Sequence, residues 1–285
     1  MQKIWVCGAR GQIGQAVNDV VDKLEFEMLD TDVDDLDVTD TDEVLRFGEM
    51  NRPDIIINCS GMTDISSCEE NPSQAFKVNA LGARNLAIVA AKMQAKMVQL
   101  STDDVFDGKS TEPYTEFDIT NPGTVYGKSK LAGENYVKEF TTKHFIVRST
   151  WVYGKGQNFI SDFLKKVDAG EQLSIASDQF GSPTSANELA RFLLHLVHTS
   201  EYGTYHATNK GVCSRYAFAQ EILKMTGKTA SMQPVPTVMS DFSKVRPAYA
   251  VLDNFIMSMV PIYDFPDWQD SLREYLEERG LYHAE

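Results

Sequence analysis

Short apolar runs alternate with longer amphipathic stretches through the first half of the chain. The runs of strand length cover residues 3–9, 25–29, 54–60, 96–102 and 144–150. Between them, helical periodicity predicts helices from Gln12 to about Leu24, through a stretch that includes 76–93, and around Tyr126. This alternation is typical of an α/β fold with a parallel sheet covered on both faces. Right-handed crossovers then make it a doubly wound, Rossmann-type sheet.

The pattern loosens beyond Trp151, where six prolines interrupt shorter segments. We therefore predict a larger domain over residues 1–150 and a smaller C-terminal lobe over 151–285. Part of 186–210 is expected to return to the first domain, because the strand-like segment GTYHATN (203–209) can add to its sheet.

Composition and charge narrow the classes of partner. The 285 residues include 42% hydrophobic and 24% charged residues, which is ordinary for a soluble globular protein. The net charge of −14 argues against nucleic acid as a partner. No apolar run is long enough to span a bilayer and the N-terminus lacks a signal-peptide pattern, so we predict a cytoplasmic protein without membrane contact. The four cysteines are widely spaced, which favours reduced thiols over disulfides or zinc ligands.

A glycine-rich loop follows the first predicted strand. Gly8, Gly11 and Gly14 lie in GARGQIG, between that strand and a helix. This spacing allows a tight turn and a close approach of the backbone to a pyrophosphate at the helix N-terminus. The alternative is a glycine-rich turn without a ligand, but Asp30 follows Gly11 at close to the ~20-residue spacing of the acid that binds the adenosine ribose. Together they predict that residues 1–150 bind a dinucleotide.

The acidic run DTDVDDLDVTDTDE (30–43) follows the second strand. An EF-hand is excluded, because Asp35 stands where the loop needs glycine and Thr41 where it needs glutamate. We interpret most of the run as a solvated loop, with Asp37 and Val38 placed to contact the adenine.

The same acids bear on the choice between NADPH and NADH. Asp30 and its neighbours disfavour a 2′-phosphate, and no arginine follows the second strand. Arg10, inside the glycine loop, could partly compensate. Electrostatics alone therefore lean towards NADH, with NADPH as the alternative.

A tyrosine and a lysine stand one helical turn apart in NPGTVYGKSKLAGENY (121–136). Tyr126 and Lys130 occupy positions i and i+4, which share a helix face. A cation beside a phenol lowers a pKa that is normally about 10, so this pair can transfer a proton near neutral pH. An isolated motif of this kind more often reflects packing and a solvated charge. The rest of the chain decides between these interpretations.

Several motifs occur in a fixed order. They are GARGQIG, STDDVFDG (101–108), VYGKSKLAGE (125–134), RSTWVYG (148–154), DQFGSPT (178–184) and RPAYAVLDN (246–254). Over nearly its whole length the chain resembles the extended short-chain dehydrogenases/reductases, and within them the dTDP-4-dehydrorhamnose reductase family. The first and third motifs are shared across the superfamily, whereas STD-VFDG, WVYG and DQFGSPT are more specific to the reductases.

The resemblance implies reduction of the C4 ketone of dTDP-4-dehydro-L-rhamnose with NADPH or NADH. The catalytic positions of the family fall on Tyr126, Lys130 and Thr102, and Asp103 and Trp151 match positions near the sugar nucleotide. The implied cofactor positions are Gly11, Gln12, Ile13, Asp30, Gly61, Met62 and Thr63, together with Tyr126 and Lys130. From its own chemistry, Arg246 is a candidate for the diphosphate, since a guanidinium binds phosphate in a fork; the alternative is a structural salt bridge.

The chain departs from the family at two places. Asp104 stands where an aromatic residue usually follows STD. Some members bind magnesium at a dimer interface through three carboxylates, and the matching positions are Gln15, Asn187 and Glu188. With one carboxylate left, we predict no such metal site, and either a monomer or a homodimer. The five histidines show no metal-binding or catalytic spacing.

Two alternatives remain. One is another sugar-nucleotide reductase or epimerase of the same superfamily. The other is an NADP-binding regulatory subunit without turnover, since the regulatory subunit of methionine adenosyltransferase is similar to this family. Intact Thr102, Tyr126 and Lys130 argue against the second.

Overall fold

The computed structural model describes residues 1–239 and 247–283. The strands are β1 (Gln2–Cys7), β2 (Phe26–Thr31), β3 (Ile55–Asn58), β4 (Lys96–Thr102), β5 (His144–Ser149), β6 (Val152–Tyr153), β7 (Leu173–Ala176), β8 (Phe180–Gly181), β9 (Thr184–Ser185), β10 (Gly203–His206), β11 (Cys213–Ser214) and β12 (Met232–Val235). The α-helices are α1 (Gln12–Val20), α2 (Thr41–Asn51), α3 (Ile65–Glu70), α4 (Pro72–Phe76), α5 (Ala83–Met93), α6 (Val125–Phe140), α7 (Phe159–Asp168), α8 (Ala186–Val197), α9 (Arg215–Thr226), α10 (Phe255–Met259) and α11 (Trp268–Glu277). Lys77–Gly82 form a π-helical segment, and Asp103–Val105 and Thr237–Met239 form 3₁₀ turns.

The central sheet has six strands in the order β2-β1-β3-β4-β5-β10, and every neighbouring pair is parallel. The chain runs outward from β1 to β2 and then crosses to β3 on the other side of β1. In open parallel sheets this reversal creates a crevice at the carboxyl ends of the strands, where ligands bind. β10 pairs with β5, so Gly203–His206, within the segment 203–209, form the edge strand of this sheet.

Apolar side chains cover both faces of the sheet. On one face, β-strand residues such as Val6 and Ile57 pack against α1 and α8. On the other, Trp5 and Ile56 pack with residues of α2 and α5, including Val44. A parallel sheet is stable only with both faces buried, which is why its strands are near-continuous apolar runs. The predicted doubly wound α/β fold is confirmed.

A second core lies beyond residue 150. Its centre contains Phe163 of α7, Phe218 of α9 and Leu272 of α11, all fully buried. α8, by contrast, packs on the main sheet through Leu189 and Phe192. The separate cores support the division near residue 150, which stays a prediction.

Two predicted helices end or break earlier than their apolar pattern suggested. The first ends at Val20 instead of Leu24, because the Asp22 carboxylate accepts the backbone N–H of Leu24 at 2.8 Å and closes a turn. The stretch around 76–93 is divided between α4, the π-helical segment and α5. Gly82 in that segment packs against Val38, whose Cγ2 would lie 2.8 Å from any added Cβ.

Among the described helices, none combines the length and the apolar character that a bilayer crossing requires. The four cysteines are free thiols; Cys7, Cys68 and Cys213 are buried and Cys59 is partly buried.

Candidate active site

A cavity of about 420 Å³ opens at the carboxyl ends of β1, β2 and β3. Its walls come from the glycine loop at Gly8 and Gly11, from residues 31–38 after β2, and from residues 59–62 after β3. The cavity therefore lies at the reversal of strand order, where the sheet topology places a nucleotide.

The glycines of the loop are required by close packing. Gly8 has φ +76°, and a Cβ there would lie 2.7 Å from the backbone nitrogen of Ser60. A Cβ on Gly14 would lie 2.3 Å from the carbonyl oxygen of Gly8. α1 begins directly after Gly11, which supplies no side-chain cap, and its first turn contains no acidic residue. The N-terminus of α1 therefore suits a phosphate group.

Gly14→Ala tests this geometry. The added methyl group must move the Gly8 carbonyl, and with it the turn that presents backbone N–H groups to a phosphate. Displacements of this kind cost roughly 1–3 kcal/mol, so we expect dinucleotide binding to weaken about tenfold or more. Calorimetric titration with NADPH and NADH measures the effect. Gly123→Ala is the matched control, since no atom lies within 4 Å of its added Cβ. Wild-type affinity in Gly14→Ala would contradict the assignment.

Asp32 is the acid that lines the cavity, while Asp30 stays the predicted ligand of the adenosine ribose. Asp30 was predicted to end β2, and the strand pairs with β1 one residue further, as far as Thr31 opposite Cys7. Asp30 therefore lies within the strand, outside the cavity lining, whereas Asp32 is the first residue after the strand and lines the cavity. Its carboxylate accepts the backbone N–H of Arg10 at 2.9 Å, which joins the acidic loop to the glycine loop.

Arg10 projects from the glycine loop towards the acidic loop. Its guanidinium lies 2.6 Å from the Asp34 carboxylate and 2.9 Å from the Asp35 carboxylate, with all three side chains exposed to solvent. The hydrogen bond to Asp34 raises the pKa of Arg10. Two carboxylates thus hold the one cation that sequence reasoning offered to a 2′-phosphate.

The remaining cofactor candidates occupy different environments. Asp37, Val38, Gly61 and Met62 line the cavity, as the prediction requires, while Thr63 is exposed and outside the lining. Gln12 donates to the carbonyl of Gln157 at 3.2 Å, and Ile13 packs against the sheet core.

Sequence reasoning missed Asn79, which shapes the loop after β3. Its side-chain amide pairs with both backbone groups of Met62, at 2.8 and 2.9 Å, and donates to Ser129 of α6 at 2.8 Å. Asn79 is buried in the π-helical segment. The sequence signal for this role was a polar residue at a core position of an apolar helix, because a buried side-chain amide needs hydrogen-bond partners.

α6 carries Tyr126 and Lys130 to the edge of the cavity. The helix begins at Val125, with Thr124 as N-cap accepting the N–H of Gly127 at 2.9 Å. Tyr126 is 8% exposed and packs with Ile65, Cys68 and Ala75. The Lys130 ammonium lies against the loop after β3, since an added Cβ on Gly61 would be 3.7 Å from its Nζ.

Gly127 explains how α6 reaches the end of β4. A Cβ at this position would lie 2.0 Å from the carbonyl oxygen of Asp104, so only glycine lets the helix pack directly on the turn that follows Thr102. The first turn of α6 and the carboxyl end of β4 are therefore held together. The structure brings Thr102, Tyr126 and Lys130 to the same edge of the sheet.

Thr102 is oriented by its neighbours. Its hydroxyl donates to Asp103 at 2.9 Å and accepts the N–H of Asp104 at 3.2 Å. The other carboxylate oxygen of Asp103 accepts from the hydroxyl of Thr150 at 2.8 Å. Asp103 and Asp104 are both almost completely buried. Asp103, predicted near the substrate, is thus engaged in holding Thr102.

Burial lowers the pKa of Lys130 to about 8, and Glu134 and the Cys59 thiol partly oppose this shift. Glu134 was not singled out from the sequence, although it stands one turn after Lys130. Its carboxylate accepts from Arg148 at 2.9 and 2.7 Å and from Ser101 at 2.6 Å, so it joins α6 to β4 and β5.

Trp151 follows Thr150 at the carboxyl end of β5. Its backbone has φ +48°, and its ring packs against Gly181 of the DQFGSPT segment. Arg246, the candidate for the diphosphate, lies outside the described residues.

The three positions matched to the family's magnesium ligands have other partners. Gln15 donates to the carbonyl of Arg10, and Asn187 donates to Glu278. Glu188 pairs with Arg191 and accepts from the Tyr263 hydroxyl at 2.9 Å. Within residues 1–239 and 247–283, no group of three His, Cys, Asp or Glu side chains is arranged to hold a metal ion. The predicted lack of a magnesium site stays a prediction.

Comparison with known proteins identifies the family. Residues 1–280 match the RmlD substrate binding domain family. The chain is 35% identical over 281 residues to the spore coat polysaccharide biosynthesis protein SpsK of Bacillus subtilis, covering 98% of this chain and 99% of that one. A dTDP-4-dehydrorhamnose reductase structure from Clostridium acetobutylicum superposes with TM-score 0.95 at 40% identity, over 98% of this chain and 100% of that one. One from Bacillus anthracis in complex with NADP gives 0.94 at 35% identity, with the same coverage. The chain therefore belongs to the RmlD family of dTDP-4-dehydrorhamnose reductases.

Proposed function

We propose that this protein reduces the C4 ketone of dTDP-4-dehydro-L-rhamnose to dTDP-L-rhamnose, using NADPH or NADH. The observation that carries the proposal is the packing of α6 on the turn after Thr102, which holds Tyr126 and Lys130 near the cavity at the carboxyl ends of β1, β2 and β3. Relatives that share 32% identity over 96% of this chain are named dTDP-4-dehydrorhamnose reductases.

The residues around the cavity fit a nicotinamide dinucleotide. The glycine loop and the N-terminus of α1 would hold the pyrophosphate, because Gly8 and Gly11 line the cavity and no side chain caps the first turn of the helix. Asp30, or Asp32 directly after the strand, would bind the adenosine ribose, and Asp37 and Val38 would contact the adenine. When bound, this cofactor would supply the hydride for the carbonyl carbon.

Three side chains then act on the carbonyl oxygen. Tyr126 donates a proton to it as general acid. Lys130 stabilises the phenolate that remains and binds the nicotinamide ribose. The Thr102 hydroxyl, which donates to Asp103 in the free protein, turns its single proton to the carbonyl oxygen, and this hydrogen bond strengthens as negative charge develops there. Trp151, Asp103 and Arg246 are proposed at the sugar nucleotide, Asp103 through its hold on Thr102.

Absorbance of the reduced nicotinamide tests the proposal. Purified protein with dTDP-4-dehydro-L-rhamnose and either cofactor should lose this absorbance and yield dTDP-L-rhamnose. Loss only with another 4-keto sugar nucleotide would favour the superfamily alternative. No turnover with any of them, in protein that binds the cofactor, would favour the regulatory subunit, against which intact Thr102, Tyr126 and Lys130 argue.

The rate should fall as pH rises through about 8. Below this pH the buried Lys130 carries its proton and stabilises the phenolate that Tyr126 becomes after proton transfer, and above it the cation is lost. A profile of kcat/KM against pH measures this fall, the alkaline limb of the profile. Glu134 raises the pKa of Lys130, so Glu134→Gln should move the limb to lower pH. Lys128→Gln, an exposed change on the same helix, should leave it in place. A flat profile between pH 7 and 10 would count against Lys130.

The preference for NADPH or NADH should depend on the two carboxylates, of Asp34 and Asp35, that pair with Arg10. Asp34→Asn with Asp35→Asn frees the guanidinium and removes two negative charges, which favours a 2′-phosphate. Both ion pairs are exposed to solvent and contribute little each, so the ratio of KM for NADPH to KM for NADH should fall by about a few-fold. Steady-state kinetics with both cofactors measures it. Asp264→Asn, a change at another exposed ion pair, is the control. An unchanged KM ratio in the double variant would show that Asp34 and Asp35 do not set the cofactor preference.

We also propose a cytoplasmic protein that acts as a monomer or homodimer without nucleic acid. The net charge of −14 supports the last point, because a phosphate backbone requires a basic surface. The sugar nucleotide is then the anionic partner, and it must be held by local cations.

A further inference from the structure

Trp151 adopts a backbone conformation that is rare for a residue other than glycine. Its φ of +48° falls in the left-handed region, which a bulky side chain occupies only when its surroundings hold it there. Trp151 is partly exposed, in contrast to Trp5 and Trp268, which are buried. The residue stands at the carboxyl end of β5, next to the Thr150 that holds Asp103 and, through it, Thr102.

The indole ring is held from the C-terminal lobe. The Arg215 guanidinium carbon lies 3.4 Å from the centroid of the Trp151 ring and 4.7 Å from that of Phe159. A Cβ on Gly181 would lie 2.6 Å from the indole, so this position must stay glycine for the ring to fit. The Trp151 carbonyl accepts the N–H of Thr184 at 3.3 Å.

Arg215 is itself fixed. It is the first residue of α9 and is 8% exposed, and its backbone N–H donates to the carbonyl of Gln179 at 3.0 Å. The residue before it, Ser214, pairs with Phe180 across β11 and β8. The Arg215 backbone is therefore held where α9 meets the β8–β11 pair, and its guanidinium lies over the indole. A planar cation stacks on aromatic faces in a way that an ammonium does not.

We propose that Arg215 is a positioning residue that fixes the Trp151 indole as one wall of the pocket for the nucleoside diphosphate sugar. The inference rests on the proposed function for the identity of the ligand. It does not require Arg215 to touch the ligand, and it assigns no chemical step to this residue. It explains why Gly181 and Arg215, from separate segments, converge on one ring.

Three variants separate stacking from charge. Arg215→Gln removes both, and Arg215→Lys keeps the charge without the planar stack. Phe159→Leu leaves the guanidinium but removes its second ring, and it keeps the test valid if a change at Arg215 prevents folding. Lys224→Gln, at an exposed position of α9, is the matched control.

We expect Arg215→Gln and Arg215→Lys each to weaken binding of dTDP, followed by calorimetry without turnover, by roughly tenfold. Phe159→Leu should give a smaller loss, and the affinity for NADPH should stay unchanged in all three. Full rescue by Arg215→Lys would overturn the proposal, because it would make Arg215 a charge for the diphosphate. Unchanged dTDP affinity in Arg215→Gln would overturn it as well.

Tryptophan fluorescence gives a readout that needs no ligand. Of the three tryptophans, only Trp151 is open to an aqueous quencher. Iodide quenching should rise in Arg215→Gln and Arg215→Lys, and stay at the wild-type level in Lys224→Gln. Unchanged quenching in both Arg215 variants would show that the arginine does not hold the ring. If the quenching rises but the wild type reduces no sugar nucleotide, the proposed function has failed and the positioning of Trp151 by Arg215 has not.

Discussion

Tyr126→Phe is expected to lower kcat by about 10²–10⁴-fold, the range usual for loss of a general acid. The change removes only the phenolic hydroxyl. The ring keeps its contacts with Ile65, Cys68 and Ala75, so the fold and the cofactor cavity should be preserved. The loss should therefore appear in kcat, while the Kd for NADPH stays within about twofold, since the phenol acts on the carbonyl oxygen.

Single-turnover kinetics together with cofactor titration measure these quantities. Tyr136→Phe, a partly buried change on the same helix, is the matched control and should leave kcat unchanged. Near-normal turnover of Tyr126→Phe would remove the tyrosine from the mechanism, whatever the protein reduces. A loss of cofactor affinity as large as the loss of kcat would instead indicate a structural role.

Glu134→Gln is expected to lower the free energy of unfolding by about 3–5 kcal/mol, the cost of leaving a buried charge without its partner. The Glu134 side chain is fully buried, and Arg148 is 3% exposed. The carboxylate accepts two hydrogen bonds from Arg148 and one from Ser101. An amide has a single acceptor oxygen and no charge, so the guanidinium loses its compensation.

Urea unfolding followed by circular dichroism measures this loss, with an unchanged m value as the sign that both end states are preserved. Glu139→Gln, an exposed change on α6, is the control and should stay within about 0.5 kcal/mol of wild type. Replacing both partners, Glu134→Leu with Arg148→Met, should recover most of the loss, because no charge is then left buried. A loss below about 1 kcal/mol in Glu134→Gln would show that water compensates Arg148.

Much of the fold follows from local patterns. Ile55, Ile56 and Ile57 form a run that is typical of a strand buried on both faces, and the alternation of such runs with amphipathic helices predicts the parallel sheet. The spacing of the glycines follows from close backbone contacts within the loop, such as the one between Gly14 and the carbonyl oxygen of Gly8. Tyr126 and Lys130 share a helix face by periodicity alone, and the more specific motifs selected the family.

The sequence by itself determined the fold class, the glycine loop and the spacing of Tyr126 and Lys130, because each depends on periodicity or backbone sterics within a short segment. Tertiary structure alone decided which acid faces the cavity, since the end of β2 depends on its pairing with β1 and places Asp32 there instead of Asp30. It also decided the partners of Glu134 and Arg215. Those contacts join residues far apart in the chain, and burial, which gives them their energetic weight, exists only once the chain has folded.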